Sequence, residues 1–495
     1  MSILSRRIFL SNSSKALLAP GLIHSILPAS AEEAKVEPAM VRFRPEIEPV
    51  VQWIEQTPRE KVIGKTVLEL QNGLPYRELL AALLLAGIRN IEPRPVGFKF
   101  HAVLVINSAH QLSLDAPQKD RLFPLLWALD DFKSSQQEDE DQGDWWLGPP
   151  NEPKVPKPSE AKELFHRSME NWDVEGADAA ITGLCRSAGA AELAEALWPY
   201  GARNYRHIGH HIIFNAQSFR VLQTVGFQHA EPVLRSLVYG ILAGKKGEAS
   251  AEPFEGNREL AKSFRPDWEA GKPDTEVSAK LVETLRTASE TEAANEIKKF
   301  LDEGVAPESL WDGVMLFAGE LLMNHPGITA LHAWTSANSM HFAFRESGLQ
   351  DTRALTLLQA VSWMTKYRED IRGYSPNNLT RIDELEVADE GEAPTPEKIF
   401  ETLGEDRMKA ARGALTYARG AGSPDAFMDV GRRLVFEKGT NAHDYKFSAA
   451  AFEEFAHVDL KWRPHLMAAS LFNLRASTER DSPLSENIRE AIGSL

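Results

Sequence analysis

The chain has 495 residues, 43% of them hydrophobic, and a formal net charge of −16. That is enough apolar side chain for a packed core, and enough length for about three average domains or one large repeat-built one. The acidic balance argues against general nucleic-acid binding, which needs a basic surface, and no basic amphipathic stretch suggests docking on an anionic membrane.

The first 31 residues read as an export signal. Ser5-Arg6-Arg7-Ile8-Phe9-Leu10 resembles the twin-arginine motif of bacterial Tat signals, a moderately apolar stretch follows over 16–27, and Ala29-Ser30-Ala31 fits a small-x-small cleavage site. The segment holds Arg6, Arg7 and Lys15 and no acid, so its removal takes the charge from −16 to −19. The alternative is the basic N-terminus of a cytoplasmic protein. Export through the Tat translocase, to the periplasm or beyond, is the expectation, with cleavage after Ala31. No later apolar run reaches the roughly 18 residues that span a bilayer. Residues 79–88 are apolar but too few, and read as a buried core helix.

From there the chain is expected to be all-α. Leu, Ala and Glu are plentiful, and apolar residues recur at three- and four-residue spacing rather than alternating. An apolar helix over 76–87 stops near Gly87 and precedes a first histidine segment, 101–110. Asp115-Ala116-Pro117 then breaks the pattern before another helix starting near Arg121. Residues 136–158, with the acidic run Glu138-Asp139-Glu140-Asp141 and then Trp145-Trp146 among prolines, read as a linker. The acidic run lacks the Asp-x-Asp-x-Asp-Gly pattern of a calcium loop, so it reads as a solvated charge run. The one cysteine, Cys185, cannot form an internal disulfide and sits in an apolar helical pattern, as a small buried hydrophobe would.

A helix over 190–200 precedes a second histidine segment, 207–211, followed by Gly226 and a helix from Pro232. Residues 244–274, rich in Gly, Glu and Lys, form a second linker. A helix over 310–323 precedes a third segment, 332–341, followed by Ser347-Gly348 and a helix over 353–366. An acidic linker at 386–396 leads to the fourth segment, His443-Asp444-Tyr445-Lys446, and then Trp462-Arg463-Pro464 and a last apolar helix. Glycines and prolines stand where helix stops and starts want them. The architecture is therefore repeated helical hairpins in one large domain over 32–495, open to closing into a ring or superhelix. The period exceeds the roughly 20–50 residues of ordinary solenoids, so each unit holds several helices.

Several chemistries lack their motif. There is no Gly-x-Gly-x-x-Gly, no Gly-x-x-x-x-Gly-Lys-Ser/Thr, no Gly-x-Ser-x-Gly, no His-Glu-x-x-His and no Cys-x-x-Cys-His. Those absences favour a metal site assembled from distant helices, or no enzyme at all.

Histidine is the commonest side-chain metal ligand and the usual proton carrier near neutral pH. From His101 to His210, His332 and His443 the steps are 109, 122 and 111 residues. Each of the four lies at or within a turn of the start of an apolar helix, so equivalent positions of repeated units face one axis. Asn107 and Asn338 each follow their histidine by six residues, about 120° around the helix, and either line the same cavity or pin a neighbouring helix. Lys446 shares the face of His443. It is either a surface lysine or a cavity group, supplying an anionic oxygen after carbamylation or acting as a donor behind the ligands. For any single histidine, a capping or hydrogen-bonded core role is the competing explanation.

The chain resembles the questin-oxidase-like family of all-helical proteins. The resemblance is carried by Gly209-His210-His211-Ile212-Ile213 through Arg220-Val221-Leu222, by His332-Ala333-Trp334-Thr335, by His443-Asp444-Tyr445-Lys446, and by the helix over 76–87. The early histidine of the family is absent, and Tyr76-Arg77 stands near its place. The resemblance implies oxidation of aromatic polyketides, with histidines and a modified lysine around non-haem iron. Its ligands here would be His101, His210, His332, His443 and Lys446. Two functions follow as expectations. One is an exported, iron-dependent oxidoreductase acting on a small, aromatic molecule. The other is a non-enzymatic helical scaffold that binds a protein or polysaccharide at the cell envelope, with Trp145 and Trp146 as anchors.

Overall fold

The computed structural model describes residues 37, 39–94, 99–243, 253–388, 393–420 and 422–493. The proposed export signal, with Arg6, Arg7 and Ala31, lies outside the described residues. The described residues are helical, and the only β feature among them is an isolated bridge between Lys272 and Val305.

The four histidine segments become four inner helices. Two short pieces, His101–Leu104 and Ile106–Leu114, follow one another across Val105, and the others are His210–Val225, Ile328–Glu346 and Ala442–Phe455. They close a ring: His210–Val225 packs on Ile328–Glu346, that helix on Ala442–Phe455, that one on Ile106–Leu114, and this last back on His210–Val225. All four run the same way. Their first turns meet at the histidines, and Asn107 meets Gln217, while Arg220 meets Asn338 and Glu453, further along.

Parallel neighbours need a return path, and helices on both sides of each inner helix in sequence supply it. Tyr76–Asn90 and Phe123–Gln142 flank the first, Ala190–Gly201 and Ala230–Ile241 the second, Pro307–Asn324 and Gln350–Asp370 the third, and Pro424–Lys438 and Arg463–Ser470 the fourth. The hairpin repeat expected from the sequence is thus an outer–inner–outer unit. The inner helices are covered on every side: residues 210–222, 330–344 and 444–452 are buried without interruption. That explains why these stretches lack a clear polar stripe, since a helix buried all round needs none. The 79–88 run is buried as expected, within Tyr76–Asn90.

Two expected linkers are partly helical. Phe123–Gln142 continues through the acidic run, because Asp139 turns inward to hold Lys99 at 2.7 Å and to accept the Glu92 and Trp145 amides. Phe254–Ala261 forms a short helix inside 244–274. Trp145 and Trp146 are half-buried, and Trp145 packs against the core. Cys185 is half-buried in Val174–Ser187 and packs against the same core. No described helix is long and apolar enough to cross a membrane.

Candidate metal centre

The local sequence seats each histidine at a helix start. His210 opens its helix directly after Gly209, whose φ of +79° is a left-handed value that glycine adopts at no steric cost. A Cβ at Gly209 would stand 2.5 Å from Ser336 Cβ and 2.8 Å from Tyr367 Oη, so the inner helices approach through this missing side chain. Ile208 before it holds φ +44°, a costly conformation for a β-branched residue, immediately beside the site. His443 enters its helix under a capping box, in which Asn441 and Asp444 exchange hydrogen bonds between side chain and backbone. His332 lies one turn inside its helix.

Three of these side chains converge. His101 Nε2 is 3.1 Å from His210 Nε2, and His210 Nε2 is 3.3 Å from His332 Nε2. All three residues are buried, and their nitrogens lie within 4.8 Å of one another. They are placed so that they can hold a metal ion.

Their protonation is constrained. His210 Nδ1–H donates to the His207 carbonyl at 2.7 Å, and His332 Nδ1–H donates to the Ile328 carbonyl at 2.8 Å. A neutral imidazole has one N–H, so on both rings Nε2 carries only a lone pair. His101 Nε2 can donate to His210. Nothing donates between His210 and His332, whose lone pairs face each other at 3.3 Å. Protonating one ring would supply a donor, but burial, reinforced by the Lys446 charge, holds His210 down to about 3, and burial beside His210 pushes His332 well below the usual imidazole range. A cation suits two facing acceptors. Two imidazole nitrogens in adjacent positions on one metal, each about 2.1 Å from it, are about 3.0–3.4 Å apart. The N–H of a metal-binding histidine normally goes to a backbone carbonyl or carboxylate, as it does here twice.

His443 joins the cluster as an outer member. Its ring centroid is 4.6 Å from that of His101 and 5.3 Å from that of His332, yet it is outside the set whose nitrogens share the 4.8 Å span. Its Nε2 is shielded from solvent and has no hydrogen-bond partner among the described residues, and burial together with Lys446 holds the ring down to about 3. Lys446 is buried, and its Nζ also has no partner among the described residues. Burial brings its ammonium down to about 7, against the opposing charge of Asp131. So the surface explanation of Lys446 does not hold.

The sequence did not point to Asp131. Its Oδ2 is shielded and has no hydrogen-bond partner among the described residues, and burial with the neighbouring Asp130 pushes the carboxyl up to about 7. Asp131 and Lys446 are an acid and a base that act on each other without a direct bond. Only a tertiary contact between Phe123–Gln142 and the fourth inner helix reveals this.

The remaining polar residues of the segments are structural. Asn107 donates to Gln217 at 2.7 Å, and Asn338 donates to Glu453 and Glu454 at 2.8 and 2.9 Å, so both asparagines pin neighbouring inner helices. His341 sits on Glu454 at 3.0 Å and stacks on Trp311, and His110 meets the Tyr76 hydroxyl at 3.1 Å. His211 packs its ring against His207. His166 lies elsewhere, on Tyr200.

In comparisons with known proteins, no family model, no curated protein and no solved structure matches this chain.

Proposed function

We propose that this is a metal-dependent oxidoreductase whose centre is held by His101, His210 and His332. His443 is a fourth imidazole at the edge, and Lys446 is an adjacent oxygen ligand once carbamylated, or a proton donor. The observation that carries the reading is the pair of acceptor nitrogens of His210 and His332, fixed by backbone carbonyls and facing each other at 3.3 Å in a buried site. Imidazole ligands suit iron, zinc, copper and nickel. Iron is the ion we assign, because the segments 209–222, 332–335 and 443–446 resemble a family that uses it. When bound, iron supplies electron transfer and Lewis acidity. The protein's part is to keep the imidazoles neutral, fix their orientation and exclude bulk water. The substrate is a small molecule, aromatic by the same resemblance. The chain is exported through the Tat translocase under this proposal, and a folded centre suits that route.

The test is oxygen uptake by protein loaded anaerobically with Fe²⁺ and supplied with a panel of phenols and hydroquinones. Uptake that requires a panel member and vanishes in His332→Ala supports the reading. A fully iron-loaded protein that consumes no oxygen with any of them, and whose iron is indifferent to nitric oxide by electron paramagnetic resonance, is a structural metal protein instead.

A further inference from the structure

Resting on the metal reading above, we propose that the centre takes a small anionic ligand of the carboxylate class, which enters past His443 and is guided by Arg407. Two independent observations lead there.

The first is charge. Among the described residues no carboxylate joins the three converging imidazoles. Neutral imidazoles leave a divalent ion its whole charge, and a buried charge without compensation is costly. The nearby fixed groups do not supply it. Lys446 Nζ and Asp131 Oδ2 are buried without a partner among the described residues, and no ion pair joins the two. Even a carbamate on Lys446 would cancel only one of two charges. The ligand that completes the centre therefore carries negative charge itself.

The second is access. A cavity of about 300 Å³ has His443 in its wall, together with Ile328, whose carbonyl holds His332, and Leu331 beside it. The three buried rings do not line it, but His443 does, and its ring centroid is 4.6 Å from that of His101 and 5.3 Å from that of His332. Four charged side chains line this cavity. Arg475 is bound to Asp444 at 2.7 Å and to Glu479 at 3.1 Å, and Asp444 also accepts the amides of Thr440 and Asn441. Those three groups are committed to one another. Arg407 is exposed, at the first position of Arg407–Arg419, and among the described residues no ion pair engages it. A guanidinium presents a planar fork of donors that suits a carboxylate. The volume admits a single aromatic ring bearing one.

The experiment uses the full-length protein loaded with Co²⁺, whose visible spectrum reports its ligands, titrated with benzoate and with neutral, equally shaped benzamide. Benzoate should perturb the cobalt bands saturably and benzamide should not. Arg407→Gln should weaken benzoate by about five- to tenfold, the span between a solvated charge pair and a charged hydrogen bond, and leave cobalt content and the resting spectrum unchanged. Arg407→Lys should recover part of the loss. Full cobalt loading with no benzoate response, an equal response to benzamide, or benzoate binding indifferent to Arg407→Gln overturns this inference and leaves the metal centre standing. Failure to take up cobalt at all overturns the metal reading and this inference with it.

Discussion

His210 is the middle member of the converging set, within 3.1 Å of one partner nitrogen and 3.3 Å of the other. Replacing it with Ala removes the group that both neighbours approach. Loss of an orienting partner alone costs a metal site about 10–100-fold in affinity, so loss of the ligand itself should cost at least about 100-fold. That loss can be read as stability. A ligand at 1,000 times its dissociation constant stabilises the folded state by about 4 kcal/mol, and after a 100-fold loss the same concentration gives only about 1.4 kcal/mol. Unfolding a chain of 495 residues releases entropy on the order of 1 kcal/mol/K. Metal addition should therefore raise the melting temperature of the wild type by about 4 °C and of His210→Ala by about 1–2 °C. The assay is differential scanning calorimetry of metal-stripped protein with and without added Fe²⁺ under anaerobic conditions. Comparing each variant with itself removes the cost of the cavity that Ala leaves. An equal metal-induced shift in both proteins would refute the assignment of His210 as a ligand.

Gly209→Ala should destabilise the fold by more than about 1 kcal/mol, because the new methyl meets Ser336 and a positive φ is strained for Ala; denaturant melts should show this, with a matching fall in metal content as His210 loses its seat. Glu454 is buried, which opposes its charge, yet His341 and Asn338 hold its carboxyl at about 2, below the ordinary 4.5. Its ionisation thus adds stability that is present above pH 4.5 and lost as pH falls toward 2, and Glu454→Gln should flatten the pH dependence of unfolding in that window. Arg6→Lys combined with Arg7→Lys should block export, leaving uncleaved precursor in the cell on immunoblots of fractionated cultures, whereas normal processing would remove the signal assignment.

Much of the architecture was legible because helix-breaking residues and apolar spacing are local properties. The chain marks its hairpins with Gly226 and Ser347-Gly348, which stand between the helices observed, and with Pro232 and Pro464, which lie in the first turns of Ala230–Ile241 and Arg463–Ser470. The three converging histidines were legible for a different reason: equivalent positions in repeated units occupy equivalent positions around the ring. His443 shows where that argument loosens, since a similar position in sequence leaves it beside the set and not within it. Asn107 and Asn338 were ambiguous because a rotation of about 120° from the histidines can face either the axis or a neighbouring helix, and only packing decides. Asp131, Arg220 and Glu454 left no local signal. Their partners are distant in sequence, as Arg220 and Glu453 are, and Asp131 looks like one more residue of an acidic helix. The helix Phe123–Gln142 runs into the linker expected at 136–158, because Asp139 is buried on Lys99 rather than solvated.

The most direct test is the metal content of the protein purified anaerobically from cells. The account predicts about one transition-metal ion per chain, iron by our assignment, sharply reduced in His101→Ala, His210→Ala and His332→Ala and unchanged in His166→Ala, whose ring lies outside the cluster. Protein that arrives without metal and takes up none of Fe²⁺, Zn²⁺ or Mn²⁺ would contradict it. So would a His166→Ala variant that loses as much metal as His210→Ala.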